Sequence, residues 1–410
     1  MIKIIKPYYN YILLLIGLLA AACQPETNPT DTSVVAIDPT QALFSKASTV
    51  FSDIEYIPLL DTTIGRTQRK ILHVNNHYFV QTARPACILR YDAKGKLVSQ
   101  ICQGGQGAGK YRGITDFVVD TKDSTVLILT GSLFKIFRYD FQGNFIADYK
   151  ITPVSPWRFE ILDEEHFVLY CSQISDRNTT RTVFFNHTTG ELHEGYLPIK
   201  SNEARYMNFL TYNNFCRLPD GTLCAFYPLN DTIYAISRDE CRPHRIIDFG
   251  KYAITHDFLA QPHKDVRDFF INLRKPGNDF AGRMIRYYET DTYFTFIFEH
   301  RGQLPLLLYD KQTRRYQLSA RLFDDISLPG FPLYNNDPDE KAPKGVTDDN
   351  RLIFSLDAEY IRAHIDSVKQ VSAPEAWAKL QQEYPQWRHL NETINISSNP
   401  VLIVAKVKPL

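Results

Sequence analysis

The amino-acid sequence predicts an all-β protein built from a repeated sheet, and three observations lead to this expectation. Hydrophobic residues make up 44% of the 410 residues and charged residues 22%, the proportions of a folded globular protein. Aromatic residues reach 13%, with 26 Phe and 24 Tyr against 3 Met, and flat side chains favour pleated sheets. The third observation is a short segment that recurs along the chain, which is the signature of a repeat architecture.

The charge balance argues against one class of function. The chain has 46 Lys and Arg residues and 46 Asp and Glu residues, so its formal net charge is zero. Proteins that bind nucleic acids need a basic surface to displace counterions from phosphates. We therefore expect no nucleic-acid partner.

Residues 1–22 have the pattern of a secretory signal. Lys3 and Lys6 give the segment a positive start, and an apolar run follows at residues 11–22. Crossing a bilayer as a helix takes about 20 residues, so this run is too short for a membrane span. A charged start, a short apolar run and small residues before a break are typical of an exported protein.

The break itself resembles a bacterial lipobox, in which a cysteine is lipidated and becomes the new N-terminus. The residues are Leu19-Ala20-Ala21-Ala22-Cys23, and Ala20 stands where the motif usually has Leu. We expect lipid attachment at Cys23. The alternative is a plain signal peptide cut near Cys23, which would leave that thiol free.

A flexible tether is predicted for residues 23–45. Residues 24–40 are rich in Pro, Thr and Asp and have little apolar periodicity, as in extended linkers. The remainder, residues 46–410, is predicted to form a single domain. We expect a monomeric outer-membrane lipoprotein of the cell envelope, facing either the periplasm or the exterior.

Six cysteines follow Cys23, and an exported protein can oxidise them. Cys216 and Cys224 flank a predicted turn at residues 219–221, which would place the two thiols opposite each other on neighbouring strands. They form either a cross-strand disulfide or two buried free thiols, and we prefer the free thiols. No Cys-x-x-Cys pair occurs, so no zinc ribbon is predicted.

The repeat is clearest in two segments. Residues 87–95 (CILRYDAKG) recur as residues 135–143 (KIFRYDFQG), and the aspartates Asp92 and Asp140 are 48 residues apart. Each copy is an apolar strand that ends in Tyr-Asp, then a tight turn in which Asp binds its own backbone and Gly accepts a positive φ. Weaker copies lie at residues 183–190, 233–239 and 306–312.

Repeats of roughly 40–50 residues built from antiparallel strands are typical of propeller blades, which stack around a ring. Five copies predict five blades, and residues 351–356 with residues 399–408 predict a sixth. Residues 51–60 precede the first blade and are expected to complete the last one, which removes an exposed sheet edge. The fold class is therefore all-β, a six-bladed β-propeller closed by N- and C-terminal strands.

Two helical insertions are predicted within this ring. Residues 263–275 have the pattern of an amphipathic helix, which accounts for the long spacing before the last copy of the repeat. Residues 358–384 also have a helical pattern, and Pro374 interrupts it. Both insertions are expected to be short excursions from the sheets.

Five segments match a family pattern: residues 52–59, 91–96, 104–111, 226–234 and 399–407. Together they resemble the six-bladed β-propeller lipoproteins common in Bacteroides-type bacteria, which are distantly similar to NHL-repeat propellers. The resemblance covers roughly residues 45–410 and implies the fold and the envelope location, but no settled activity. The family usually has Glu before the Tyr of its glycine loop, and this chain has Lys110 there.

That glycine loop, residues 104–110, has the spacing of a phosphate-binding loop. Tyr111 follows, where Mg²⁺ binding needs Ser or Thr, and residues 114–120 have the pattern of a strand, not of a helix. We interpret the loop as a tight connection between blades with Tyr111 packed beneath it. In the alternative, Lys110, Tyr111 and Arg112 point into the mouth of the ring and contact a polar ligand; they are the candidate ligand-binding residues.

Other polar clusters predict no metal site. His73 and His77 are four residues apart, but the Asn-Asn pair between them indicates a turn, whereas a zinc pair needs one helical face. Asp337, Asp339 and Glu340 lie in a Pro-rich loop that lacks the spacing of a calcium loop, so solvation is expected.

No local catalytic motif appears, and we expect no cofactor. The sequence therefore predicts a non-catalytic binding or interaction module whose ring face recognises a glycan, peptide or protein partner, a prediction by fold analogy. The alternative is a metal-dependent lyase or hydrolase with its site in the central channel. Such a site takes single residues from several blades and leaves no local motif, and a cluster of His and acidic residues in the channel would favour it.

Overall fold

The computed structural model describes residues 33–60, 68–172, 178–200 and 212–410. These residues form six sheets of four or five antiparallel strands and one two-stranded hairpin. The innermost strands of successive sheets lie side by side, so the sheets are the blades of a propeller. The predicted fold class, a six-bladed β-propeller with short helices, is confirmed. The predicted signal segment and Cys23 lie outside the described residues.

The first two strands belong to blades that are completed much later in the chain. They are β1 (Ser33–Ala36) and β2 (Phe51–Pro58).

Blades 1, 2 and 3 each contain four consecutive strands, ordered from the axis to the rim. Blade 1 contains β3 (Gln68–Val74), β4 (His77–Thr82), β5 (Cys87–Asp92) and β6 (Leu97–Ile101). Blade 2 contains β7 (Asp116–Asp120), β8 (Thr125–Thr130), β9 (Lys135–Asp140) and β10 (Phe145–Lys150). Blade 3 contains β11 (Arg158–Ile161), β12 (His166–Tyr170), β13 (Thr182–Asn186) and β14 (Leu192–Glu194).

Blades 4 and 5 follow the same order, and β1 joins blade 4 as a fifth strand. Blade 4 contains β15 (Phe215–Arg217), β16 (Leu223–Ala225), β17 (Thr232–Ile236) and β18 (Cys241–Asp248). Blade 5 contains β19 (Ala281–Glu289), β20 (Tyr293–His300), β21 (Leu306–Asp310) and β22 (Tyr316–Ser319). The separate hairpin consists of β23 (Arg321–Phe323) and β24 (Pro332–Asn335).

Blade 6 is made from both ends of the described chain. Its order is β25 (Gly345–Val346), β26 (Arg351–Leu356), β27 (Val401–Val407) and β2. Ile54 and Tyr56 of β2 lie opposite Ala405 and Ile403 of β27, and all four side chains are buried. The predicted closure of the ring by an N-terminal strand is confirmed.

The Tyr-Asp repeat marks the third strand of each of the first five blades. Asp92 accepts hydrogen bonds from the backbone N–H groups of Lys94 and Lys96, and Gly95 has a φ of 78°. Gly95 also packs closely against the outer strand of the previous blade, since an added Cβ would lie 2.2 Å from the carbonyl oxygen of Pro58. The glycine is therefore required by the contact between blades as well as by the turn.

Helices occupy two connections between strands. Between blades 4 and 5 lie α1 (His256–Ala260) and α2 (Val266–Leu273), the second of which confirms the predicted amphipathic helix. Between β26 and β27 lie α3 (Ala358–Val371), α4 (Pro374–Glu383) and α5 (Pro385–Thr393). Among the described residues, no helix combines the length and the apolar character that a membrane crossing requires.

The boundary of the predicted tether needs correction. Residues 33–45 were assigned to the tether, but β1 pairs with β18, and Val35 and Ile37 are 4% and 3% exposed. The backbone N–H of Ile37 donates to the carbonyl oxygen of Asp248 at 2.8 Å. The apolar alternation in this segment covers blade 4, so the propeller begins before residue 46.

The cysteines also differ in part from expectation. Cys216 and Cys224 lie directly opposite each other on β15 and β16 and both are free, which confirms the preferred interpretation. A disulfide joins Cys87 and Cys102 instead. The β5–β6 hairpin brings this pair together, because Ile88 and Ile101 beside them are register partners.

Candidate functional site

The inner strands surround a cavity of about 760 Å³ along the axis of the propeller, which we call the axial cavity. All six blades contribute to its wall through β3, β7, β11, β15, β19 and β25. A wall of this kind brings together residues that are far apart in the sequence.

Polar contacts link one blade to the next where the inner strands enter the axial cavity. Lys70 of blade 1 forms an ion pair with Asp116 of blade 2 at 2.9 Å. The second carboxylate oxygen of Asp116 accepts from the backbone N–H of Phe159 in blade 3 at 3.1 Å. Arg158 of blade 3 donates through Nε to the carbonyl oxygen of Tyr212 at 3.1 Å.

Blades 5 and 6 complete this end of the cavity with two buried basic side chains. Arg286 donates to the carbonyl oxygen of Pro338 at 2.7 Å, and its guanidinium lies 4.0 Å from the centre of the Tyr212 ring. Lys344 donates through Nζ to the carbonyl oxygen of Asp339 at 3.2 Å. Burial, with a further contribution from the charge of Arg286, lowers the pKa of Lys344 to about 7. We call the end that contains Lys70, Arg158, Arg286 and Lys344 the basic end.

The middle of the cavity contains a carboxyl group and a thiol. Burial raises the pKa of Glu160, while Arg217, 4.0 Å from its carboxylate, acts in the opposite direction. Burial also raises the pKa of Cys216 to about 12, so its thiol stays protonated near neutral pH and is a poor nucleophile. Tyr288 lies in the same wall.

Carboxylates collect where the inner strands leave the cavity, and Asp120, Asp291 and Asp348 lie at this end. Asp348 is 3.4 Å from Nδ1 of His73 and accepts from the backbone N–H of Asn75 at 2.9 Å. The two ends of the axial cavity therefore differ in charge.

A buried carboxylate anchors the wall between blades 4 and 5. Glu289 is 2.7 Å from Arg245, 3.0 Å from Lys311 and 3.2 Å from His244, and Tyr287 donates its hydroxyl proton to it. The hydrogen bond from His244 and the charges of Arg245 and Lys311 outweigh burial and hold the pKa of Glu289 far below its usual value. This carboxylate is therefore ionised at neutral pH.

The candidate residues predicted from the glycine loop lie elsewhere. Tyr111 is fully buried among Phe137 and Tyr139 and donates its hydroxyl proton to the carbonyl oxygen of Ile101 at 2.8 Å. Lys110 donates to Gln103 of the same loop, and neither Lys110, Tyr111 nor Arg112 lines the axial cavity. The structure thus agrees with the preferred interpretation of a connection with Tyr111 packed beneath it, and it does not place the three residues at the mouth of the ring as in the alternative. The close packing of Gly109 explains where this loop lies, since an added Cβ would overlap the side chain of Phe145 on the outer strand of blade 2.

Within residues 33–60, 68–172, 178–200 and 212–410, no three His, Cys, Asp or Glu side chains are placed to hold a metal ion. His73 lines the cavity and contacts Asp348, whereas Nδ1 of His77 contacts the carbonyl oxygen of Asn75. The hypothesis of a channel metal thus finds no donor set in the part of the chain that is described.

Sequence reasoning missed the residues of the basic end. Arg158 and Lys344 lie at or beside the first residue of an inner strand, but neither has a recognisable motif around it. Asp339 and Glu340 are exposed, in agreement with the expected solvation, and Asp339 also accepts a hydrogen bond from the hydroxyl of Tyr212. Aligning the first strands of the blades would have shown recurring charged residues near their starts.

Comparisons with known proteins agree with this architecture. The structure is similar to a crystal structure of a "Putative exported protein" from Bacteroides fragilis, with a TM-score of 0.71 and 16% identity over 92% of this chain and 100% of that one. It is also similar to a DUF4221 family member from Bacteroides vulgatus, with a TM-score of 0.52 and 10% identity over 88% and 98% of the two chains. At such identities these similarities establish the fold alone. No curated protein sequence matches the chain.

A family model described as "Domain of unknown function (DUF4934)" matches residues 35–406. The match begins within β1 and ends within β27, so it covers all six blades. It confirms the resemblance to a propeller family of Bacteroides-type bacteria. The chain belongs to the DUF4934 family.

Proposed function

We propose that this protein is a non-catalytic binding module of the bacterial cell envelope and that the axial cavity is its ligand site. The observation that carries the proposal is the wall of the cavity, to which every blade contributes and in which charged side chains are buried or half-buried. Burying charge costs free energy, and apolar residues of similar volume are often at least as stabilising. Contact with a ligand would explain why charged side chains occupy this wall.

The envelope location rests on independent support. Residues 1–22 have the pattern of a secretory signal, and Cys23 stands at the lipid-attachment position of a lipobox-like motif. Disulfides persist in oxidising compartments, and Cys87 and Cys102 form one. A protein of the same fold is described as exported. We therefore propose a lipid anchor in the outer membrane.

A binding screen on the purified full-length protein tests the site. Neutral glycans, acidic glycans and peptides are added separately, and the unfolding temperature and calorimetric binding are measured. Tyr288→Ala changes the wall of the axial cavity, whereas Tyr360→Ala removes a tyrosine that is 43% exposed on α3 and serves as the control. We expect saturable binding that Tyr288→Ala weakens and Tyr360→Ala leaves unchanged.

Two other outcomes would overturn the proposal. Binding that is insensitive to Tyr288→Ala would place the ligand site outside the axial cavity. Chemical conversion of a bound ligand would contradict the non-catalytic role, and loss of that conversion in chelator would restore the metal-dependent lyase or hydrolase.

A further inference from the structure

Charge is distributed unevenly along the axial cavity. Lys70, Arg158, Arg286 and Lys344 lie at the basic end, while three of the aspartates lie at the other. Lys70 and Asp116 neutralise each other as an ion pair, so the positive charge of the basic end comes mainly from Arg158 and Arg286, with the protonated fraction of Lys344. The basic end therefore attracts a negatively charged group, and the opposite end repels it.

Two guanidinium groups from different blades converge on the same tyrosine. Arg158 donates to the carbonyl oxygen of Tyr212, and Arg286 stacks on the ring of Tyr212 at 4.0 Å. Tyr288 lines the same cavity; burial raises its pKa, and the positive charges of Arg286 and Arg158 act in the opposite direction. Both guanidinium groups also donate to several backbone carbonyls, which fix the planes of the two groups. A guanidinium has five N–H groups and binds a carboxylate through parallel hydrogen bonds, so two fixed planes on one wall are suited to a planar anion.

A smaller pocket of about 180 Å³ adjoins the basic end. Both cavities share the wall formed by Lys70, Asp116, Arg158 and Tyr212. The small pocket adds Trp157, which is 45% exposed beside Arg158. An exposed indole presents a flat apolar face with a polar edge, which suits the face of a sugar ring.

A buried acceptor at the basic end also lacks a partner. Asn213 donates through Nδ2 to the carbonyl oxygen of Tyr287 at 2.7 Å, but its Oδ1 atom has no hydrogen-bond donor among the described residues. An unsatisfied buried acceptor destabilises the folded protein, and a ligand hydroxyl that donated to it would remove this cost. The wall thus combines a site for an anion, a stacking surface and an acceptor for a hydroxyl.

We propose that the basic end binds an acidic sugar. Its carboxylate lies between Arg158 and Arg286, its ring stacks on Trp157, and one of its hydroxyls donates to Asn213. This inference rests on the proposed binding function and specifies the class of ligand.

Calorimetry on the purified full-length protein tests the inference with two pairs of probes. The probes are trimers of galacturonic acid and of glucuronic acid, each compared with the same trimer after reduction of its carboxyl groups to hydroxymethyl groups. We expect at least one acidic trimer to bind, and its reduced form to bind at least about ten-fold more weakly, as loss of a charge-assisted pair requires.

Three variants assign the contacts. Arg158→Gln is expected to lower affinity for the acidic trimer by about ten-fold and to abolish the preference over its reduced form. Trp157→Ala is expected to lower the affinity for the acidic and the reduced trimer equally, since stacking does not depend on the carboxylate. Because Trp157 is exposed, the substitution should have little effect on folding. Arg321→Gln, at an exposed arginine of β23 outside both cavities, is the control and is expected to change nothing.

The two proposals fail in different ways. If neither acidic trimer binds at millimolar concentration, or if acidic and reduced trimers bind equally, the acidic-sugar proposal is wrong. A neutral glycan or peptide that binds and responds to Tyr288→Ala would in that case still support the proposed function.

Discussion

Glu289 is the most strongly stabilised carboxylate of the cavity wall, and its removal is a direct test of that network. Glu289→Gln removes the carboxylate charge that lies 2.7 Å from Arg245, which is 5% exposed. Breaking a buried pair in this way costs about 3–5 kcal/mol, and we expect this loss in urea unfolding. Glu191→Gln, at an exposed carboxylate of blade 3, should change the free energy of unfolding by less than about 0.5 kcal/mol.

The same substitution changes the response to acid. The pKa of Glu289 is lowered from 4.5 on folding, so its contribution to stability is fully present above that value and is lost as the pH falls below it. The native protein should therefore lose stability below about pH 4.5 more steeply than Glu289→Gln. Equal acid dependence of the two proteins would show that Glu289 is not the group responsible.

Burial of Lys344 in the cavity is expected to lower the stability of the folded protein. Its pKa falls from 10.5 to about 7 on folding, so between these values the unfolded chain binds a proton that the folded chain lacks. The free energy of unfolding therefore rises with pH across this window. Lys344→Met should be more stable than the native protein at pH 6, and the difference should shrink towards pH 10.

Thermal unfolding from pH 6 to 10 measures this difference. Lys94→Met, at an exposed lysine in the turn of blade 1, provides the control and should follow the native protein. If Lys344→Met and the native protein have the same unfolding temperature at every pH, folding does not hold the lysine in its neutral form.

At the scale of the structural element, two glycines of the repeat separate turn geometry from packing between blades. Gly95 and Gly190 have similar φ values of 78° and 80°, but only Gly95 has neighbours within 4 Å of an added Cβ. Gly190→Ala should cost about 1–2 kcal/mol from the left-handed conformation alone. Gly95→Ala should cost about 1–3 kcal/mol more, because its methyl group would overlap the carbonyl of Pro58.

Chemical denaturation of the two variants measures both free energies of unfolding. Equal losses would mean that the contact between blades 1 and 6 adjusts without cost, and the close approach at Pro58 would then not explain why the repeat ends in Gly. A larger loss at Gly95 would show that the turn of blade 1 also sets the spacing between blades 1 and 6.

At the scale of the whole molecule, the ring depends on β2. Phe51, Ile54, Tyr56, Ile57 and Leu59 are each at most 5% exposed. Burying such side chains contributes about 1.5–3 kcal/mol each, so together they match the roughly 5–15 kcal/mol that stabilises a typical domain. We expect deletion of residues 1–60 to abolish cooperative unfolding.

Circular dichroism during heating distinguishes this outcome from simple loss of a terminal segment. A chain without residues 1–32 keeps β1 and β2 and is the control, which should unfold at the temperature of the full chain. A cooperative transition in the chain without residues 1–60 would show that five complete blades hold the ring without the closing strand.

The repeats allow most of this architecture to be predicted from the sequence. Residues 87–95 and 135–143 predict strands and turns because a hydrogen-bonded turn depends on groups only a few residues apart. The helix within residues 263–275 follows from a pattern that is equally local. Val35 and Ile37 show where prediction from local sequence fails. The composition around them indicates a tether, whereas their burial depends on blade 4, which lies far along the chain.

Only the tertiary structure determines which residues line the axial cavity. Arg158, Arg286 and Lys344 belong to blades 3, 5 and 6, and they meet only because the ring closes. The glycine loop that ends at Lys110 was predictable as a connection between blades, but its position against the outer strand of blade 2 depends on the packing of Gly109 on Phe145. Contacts between blades depend on the path of the whole backbone, whereas a sequence pattern reports only the conformation of its own segment.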